Sequence, residues 1–266
     1  MSSLKIQGFV PEDNPEFINV LRYMPLIRFL CLLELQAIWF SRLGALQDKF
    51  ECTNPQGARG FLLKAIKESP TPLGIPFKNL LSLTDNGNSG DGFRQGGLVN
   101  SWFIGKLETE KMWRDYGDNG KGVAIRSTVK KLTTSFQIPE DFRKISQVGR
   151  VRYVDFEIFD PDVLGHDQAY VSLLKDEKQF KDENEVRIVT LNWPHSGTLL
   201  PDGSQPNNSK FEPKIKGLHI KCNLRELIQS VVVGPNTDWN FQMLMKRIVS
   251  RFGLTVNVER SQISPW

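Results

Sequence analysis

The residues best suited to chemistry in this 266-residue chain are carboxylates. Glu183-Asn184-Glu185 enters the apolar run EVRIV, and residues two apart in a strand share a face, so Glu183, Glu185 and Arg187 can project together. Two like charges that close resist joint ionisation, which is one way a carboxylate is tuned for acid–base work. The plainer alternative is a corner of solvated charges in which Arg187 pairs with Glu185. A second acidic group, Asp48-Lys49-Phe50-Glu51, follows the segment AIWFS. With Glu183 and Glu185 it offers oxygen ligands of the kind Mg²⁺ takes. Trp113-Arg114-Asp115-Tyr116 carries two aromatic rings on one helical stretch. With Met112 they read either as a core-facing stripe or as a platform for stacking a base or nicotinamide.

Other familiar devices are missing. The Gly-rich stretches GNSGDG and GDNGKG lack the Gly-Lys-Ser/Thr ending and the strand-to-helix setting of a phosphate loop, and GDNGKG reads as a helix-to-strand turn after Gly117. The chain has neither Gly-x-Ser-x-Gly nor His-Glu-x-x-His. Cys31, Cys52 and Cys222 have no short paired spacing, which argues against a disulfide framework or a Cys-rich zinc site. His166 and His195 fall in expected loops, and Cys31 among leucines reads as a small core residue.

The elements that must position these groups follow from patterning. Residues 1–15 read as a loosely ordered arm, and 16–266 as a single α+β domain with a mobile loop at about 70–97, where turn formers dominate. Val20 to Tyr23 reads as extended and is followed by a helix from Pro25 to Leu35, buried on most of its circumference. Strands are expected at Ala37–Ser41, Leu98–Ile104, 123–127, Arg150–Asp155, Glu185–Asn192, Gly217–Cys222, Ser230–Val233 and Leu254–Val258. Helices are expected at Ala58–Lys67, Glu108–Tyr116, Thr128–Phe136, from Asp167 to Phe180, and after the capping Asp238. Strands and helices mix without strict alternation, which predicts a mixed, mostly antiparallel sheet with packed helices.

Composition is that of a globular protein, 39% hydrophobic and 24% charged, which excludes disorder over most of the length. The excess of 34 basic over 30 acidic residues, +4, neither demands nor forbids a nucleic-acid partner. The first residues lack a basic flank and apolar core, and Leu26–Phe40 is too short and too interrupted to span a bilayer. A cytoplasmic protein with no membrane partner is therefore expected.

Taken in order, LRYM, LLELQAIWFSR, DKFE, NSWF, ETEKMWRDYGDNGKGVAI, KQFKDENEVRIV and SVVVGPNTDW resemble a widespread bacterial family, domain of unknown function 2971. Lys49 stands where that family usually has Pro, and Trp102-Phe103-Ile104 where it usually has Cys-Phe-Ser. The order of an Arg on an early strand, a helix, a strand ending in Ser and a later strand bearing Glu-x-Glu also resembles the ADP-ribosyltransferases. That resemblance implies that Arg22 grips a pyrophosphate and Ser41 holds backbone and ribose. It implies that Glu185 accepts a ribose hydroxyl and stabilises the charge left by departing nicotinamide, with Glu183 as base on the acceptor. Tyr23, Trp113 or Tyr116 would stack a ring, and Arg187 would complete the binding surface.

Three functions fit these residues. The first is an NAD-consuming ADP-ribosyltransferase or glycohydrolase, with NAD as substrate and a protein or nucleic acid as acceptor, of the kind expected in bacterial defence or a toxin system. The second is a metal-dependent phosphodiesterase or nuclease built on Asp48, Glu51, Glu183 and Glu185. The third is a non-catalytic module that binds a nucleotide or a partner without turnover.

Overall fold

Chain direction at the centre of the molecule is set by a strand–helix–strand unit. The computed structural model describes residues 3–9, 13–46, 48, 97–138, 146–158, 172–191, 198–199 and 216–266. β1 (Lys5–Gln7) precedes β2 (Asn19–Met24), and Pro25, in extended backbone, starts α1 (Leu26–Leu35). Gln36 ends α1 in the left-handed region at φ 48°, turning the chain straight into β3 (Ala37–Arg42). β4 (Gly97–Ile104), α2 (Glu110–Tyr116), β5 (Val123–Thr128) and α3 (Val129–Thr134) follow. Then come β6 (Gln147–Arg150), β7 (Arg152–Val154), β8 (Leu174–Asp176), α4 (Glu177–Phe180) and β9 (Glu185–Leu191). The last elements are β10 (Thr198–Leu199), β11 (Gly217–Lys221), α5 (Leu224–Leu227), β12 (Ser230–Val233), α6 (Trp239–Arg251) and β13 (Asn257–Arg260).

Among the described residues, eleven strands form one sheet in the order β1-β6-β9-β4-β2-β5-β12-β13, and β3, β11 and β10 branch from β4. The pairings are mostly antiparallel; β1 with β6 and β12 with β13 are parallel. This is the mixed, mostly antiparallel α+β domain the patterning predicts. The branch matters most. β9 runs along one edge of β4, pairing Gly97 through Phe103 with Leu191 through Glu185. The other edge is shared: β2 takes Phe103 and Ile104, and β3 takes Leu98 and Val99. Residues 100–102 therefore face a fork between β2 and β3.

Alternation sorts side chains to two cores. Val20 and Met24 join Phe29, Leu32 and Leu33 of α1, Leu132 of α3 and Met245 and Val249 of α6 in the main cluster. Leu21 and Tyr23 point the other way, packing with Phe103, Met112 and Trp113 of the α2 side. Thr109, Thr128 and Asp238 cap α2, α3 and α6 through their side chains, Asp238 accepting from the Phe241 N–H at 2.8 Å.

Several elements differ from the sequence expectation. Only Phe29, Leu32 and Leu33 of α1 are buried, and Ile27 is 66% exposed, so α1 is covered on one side rather than on most of its circumference. The first fifteen residues, expected as a loose arm, supply β1, paired with β6 from Lys5 to Gln7. The expected strand Arg150–Asp155 divides at Val151: β6 stays in the main sheet, and β7 pairs with β8 in a separate two-stranded sheet. Of the helix expected from Asp167 to Phe180, residues 167–171 lie outside the described residues, and within 172–180 the chain is helical over α4 alone. Leu173 packs with Val99 and Val189 while Leu174 packs with Val154 and Phe156, and neighbours that face opposite cores require extended backbone. The closing strand begins at Asn257 rather than Leu254. The helix expected at 58–67 and all of the 70–97 loop before Gly97 lie outside the described residues.

Candidate functional site

A cavity of about 470 Å³, the size of a small-molecule site, opens at the fork. β2 delivers Arg22 to it. The Arg22 Nη1 donates to the Ser101 carbonyl at 2.5 Å and Nη2 to the Trp39 carbonyl at 3.3 Å, while Asn100 Nδ2 also donates to Trp39 at 2.8 Å. These side chains satisfy backbone acceptors that no strand pairs at the fork, so Arg22 ties the branches together as well as charging the cavity. Burial above all, and then the charge of Arg28, pull its pKa down to about 10, with Glu185 acting in the opposite direction. Arg28 projects from α1 over the Trp39 ring, 5.4 Å from its centroid. No carboxylate forms an ion pair with Arg22 or Arg28 among the described residues.

Ser41 lies near the end of β3, and its Oγ accepts from Trp39 Nε1 at 3.1 Å. Trp39 meets His219 of β11 edge to face at 5.0 Å, and both rings line the cavity. β9 brings Glu185 and Arg187, which share a face as alternation predicts: Arg187 Nε donates to Glu185 Oε1 at 2.9 Å. Arg187 is 1% exposed and also donates to the Ser172 carbonyl at 2.7 Å. Glu183 does not reach the site along the strand. It sits on a single 3₁₀ turn (Lys181–Glu183), and Asn184, left-handed at φ 36°, swings it beside Glu185.

The acid pair is not the mutually repelling one that its spacing suggests. Lys175 of β8 stands between the two carboxylates, with Nζ 2.5 Å from Glu183 Oε2 and 3.1 Å from Glu185 Oε2. Burial alone would raise the Glu185 pKa, but the charges of Arg187 and Lys175, with hydrogen bonds from Arg187 and Ser101, outweigh it and hold the group at about 2. Glu185 is thus an anion at any ordinary pH. Tyr116, 44% exposed, donates from its hydroxyl to Glu183 Oε1 at 2.5 Å. Burial first, and then this bond to Glu183, push its pKa upward.

The fork therefore collects Arg22, Tyr23, Ser41, Tyr116, Glu183, Glu185 and Arg187 around one cavity. Tyr23 lines it but is 6% exposed, with its ring packed perpendicular to Trp113 at 4.9 Å between centroids, so it belongs as much to the core as to the cavity. Trp113 is the exception. It is fully buried outside the cavity lining, with Nε1 donating to Glu108 Oε2 at 2.9 Å, which makes it the core member of its motif rather than a stacking platform. GDNGKG forms the turn from α2 to β5, with the Gly122 N–H bonded to the Gly117 carbonyl at 2.9 Å.

Sequence reasoning missed Lys175, Arg28, Trp39 and His219. A lysine inside the apolar stretch SLLKD was the available signal, since lysine is rarely buried without a partner. The expected metal site fares differently. Asp48 lines the cavity and Glu51 lies outside the described residues, among which no group of three or more His, Cys, Asp or Glu side chains could hold an ion. The lysine between Glu183 and Glu185 already neutralises the oxygens that a cation would need. The buried Cys222 thiol is pushed up to about 12 by burial, which leaves it unreactive.

Among the described residues no helix is long and apolar enough to cross a membrane. No curated protein and no solved structure matches the chain. The segment from Met112 to Ile188, which carries Tyr116, Lys175, Glu183, Glu185 and Arg187, matches the model of a family described as protein of unknown function (DUF2971).

Proposed function

We propose that the chain is an NAD-consuming enzyme of the ADP-ribosyltransferase kind, and that the family likeness extends beyond the matched segment to the strands bearing Arg22 and Ser41. The supporting observation is that Arg22, Ser41 and Glu185, from three separate strands, line a single cavity. In this reading Arg22 and Arg28, which have no carboxylate partner among the described residues, take the pyrophosphate, for which paired guanidinium groups are well suited. Trp39 offers an aromatic face beside them. The bond between nicotinamide and ribose breaks, nicotinamide leaves as a neutral molecule, and the positive charge left on the ribosyl carbon faces the Glu185 carboxylate. A pKa of about 2 suits an electrostatic stabiliser and not a proton acceptor. Water or an acceptor nucleophile on a protein or nucleic acid then completes the transfer.

The test is nicotinamide release from NAD by the purified protein, by Glu185→Gln and by Arg28→Gln, each checked for folding by circular dichroism. Loss of at least about 100-fold in folded Glu185→Gln is expected, as for other preorganised electrostatic groups. Turnover unchanged in that variant rejects the role. A second reading, nucleotide binding without turnover, is favoured by the fact that Lys175 and Arg187 already engage Glu185. Tight binding of ADP-ribose with no nicotinamide released over long incubation would select it.

A further inference from the structure

One cation in the cavity wall, Lys175, touches both carboxylates at once. Lys175 is held in β8 by the leucines that fix that strand as extended, and its side chain is 9% exposed. Its ammonium lies 2.5 Å from Glu183 Oε2, 3.1 Å from Glu185 Oε2 and 4.4 Å from the centroid of the Phe180 ring. Each carboxylate has a second anchor on its other oxygen: Arg187 Nε on Glu185 Oε1 at 2.9 Å, and the Tyr116 hydroxyl on Glu183 Oε1 at 2.5 Å. Two points fix a carboxyl plane where one would leave it free to rotate.

We propose that Lys175 is a positioning residue of this site: its ammonium, gripped by Glu183 and Glu185 beside the Phe180 ring, holds both carboxylates oriented on the cavity wall. Every element around Glu185 is consistent with a clamp that works through charge. Ser101 of β4 hydrogen-bonds the carboxylate, Arg22 of β2 feels its charge, and the Tyr153 hydroxyl of β7 accepts from the Glu185 backbone N–H at 2.9 Å. Without Lys175, Arg187 is the one cation left within ion-pair distance of Glu185 among the described residues. Glu183 has Lys175 as its one cation within ion-pair distance among the described residues, so removing Lys175 leaves two adjacent carboxylates sharing a single guanidinium. The catalytic consequence rests on the NAD-consuming reading; the clamp itself does not.

The experiment follows glutamate carboxyl carbons by NMR through an acid titration of the full chain as wild type, Lys175→Met and Lys175→Arg, with nicotinamide release measured in parallel. In Lys175→Met the Glu185 midpoint should rise from about 2 by at least about one unit. Lys175→Arg, which keeps the charge, should restore the wild-type curve and most of the turnover. An unchanged Glu185 midpoint in folded Lys175→Met overturns the proposal, even where activity falls. A shifted midpoint in a protein that never cleaves NAD upholds the clamp and removes the NAD-consuming reading instead. Should Lys175→Met not fold, the wild type decides: a slowly exchanging Lys175 ammonium coupled to the Glu183 carboxyl carbon is expected, and its absence overturns the clamp.

Discussion

Glu185 is a buried charge that lines the cavity and also bears on stability. Its folded pKa of about 2 lies below the ordinary 4.5, so the stabilisation is complete above the ordinary value and is lost as pH falls toward 2. The gap between the two values corresponds to on the order of 3 kcal/mol near neutral pH. Urea unfolding of wild type and Glu185→Gln should therefore differ most near pH 7 and converge only as the pH falls to about 2. A difference constant across that range would mean that the ion pairs to Arg187 and Lys175 contribute nothing net. Arg22 carries a comparable double duty. Arg22→Lys keeps a charge but cannot span the Ser101 and Trp39 carbonyls, and should cost about 1–3 kcal/mol in denaturant unfolding. Arg28→Gln serves as the contrast: it relieves the repulsion on Arg22, so the melting temperature should hold or rise slightly, and the proposed pyrophosphate role predicts weaker ADP-ribose binding in the same variant.

At the scale of elements, the β2–α1–β3 unit decides where the cavity lies, and Gln36 is its tightest point. A non-glycine residue at φ 48° has a conformation that glycine adopts more freely, so Gln36→Gly should leave stability unchanged or raise it by up to about 1 kcal/mol in thermal melts. A clear loss would show that the Gln36 side chain contributes packing that outweighs the backbone gain. The same unit marks how far the sequence could be read. The alternation around Arg22, the Glu185–Arg187 pair and the caps at Thr109 and Asp238 are local patterns, and local patterns determine local geometry. The fork is not local. It depends on β4 pairing two strands at its two ends, a register that involves residues far apart in sequence. Lys175 was hidden for a related reason: Leu173 and Leu174 fit a helical stripe as well as a strand facing two cores, and only the surrounding clusters distinguish them. Trp113 and Tyr116 shared one motif, yet the pitch of α2 sent the first inward and the second to the cavity.

At the scale of the whole molecule, the far edge of the sheet supports the helix that carries Tyr116. Glu108, just ahead of α2, is buried with 1% of its side chain exposed and accepts from Arg126 of β5 at 2.8 Å and from Trp113 Nε1 at 2.9 Å. Ser261, immediately past β13, donates to the same carboxylate, and Ile263 packs on the α2 side of the sheet. One anion thus connects α2, β5 and the segment following β13 from behind the cavity. Glu108→Ala would leave the buried Trp113 indole N–H without its acceptor and take one partner from the half-buried Arg126, which keeps the Lys106 carbonyl, a loss of about 1–3 kcal/mol. Glu108→Gln keeps an acceptor and should cost less. Amide hydrogen exchange provides the deciding measurement. In Glu108→Ala, protection should fall along α2 and at residues 261–263 together, while β9 and its Glu185 stay protected. Loss confined to α2, with the segment after β13 unchanged, would show that the two are held independently and that Glu108 does not join them.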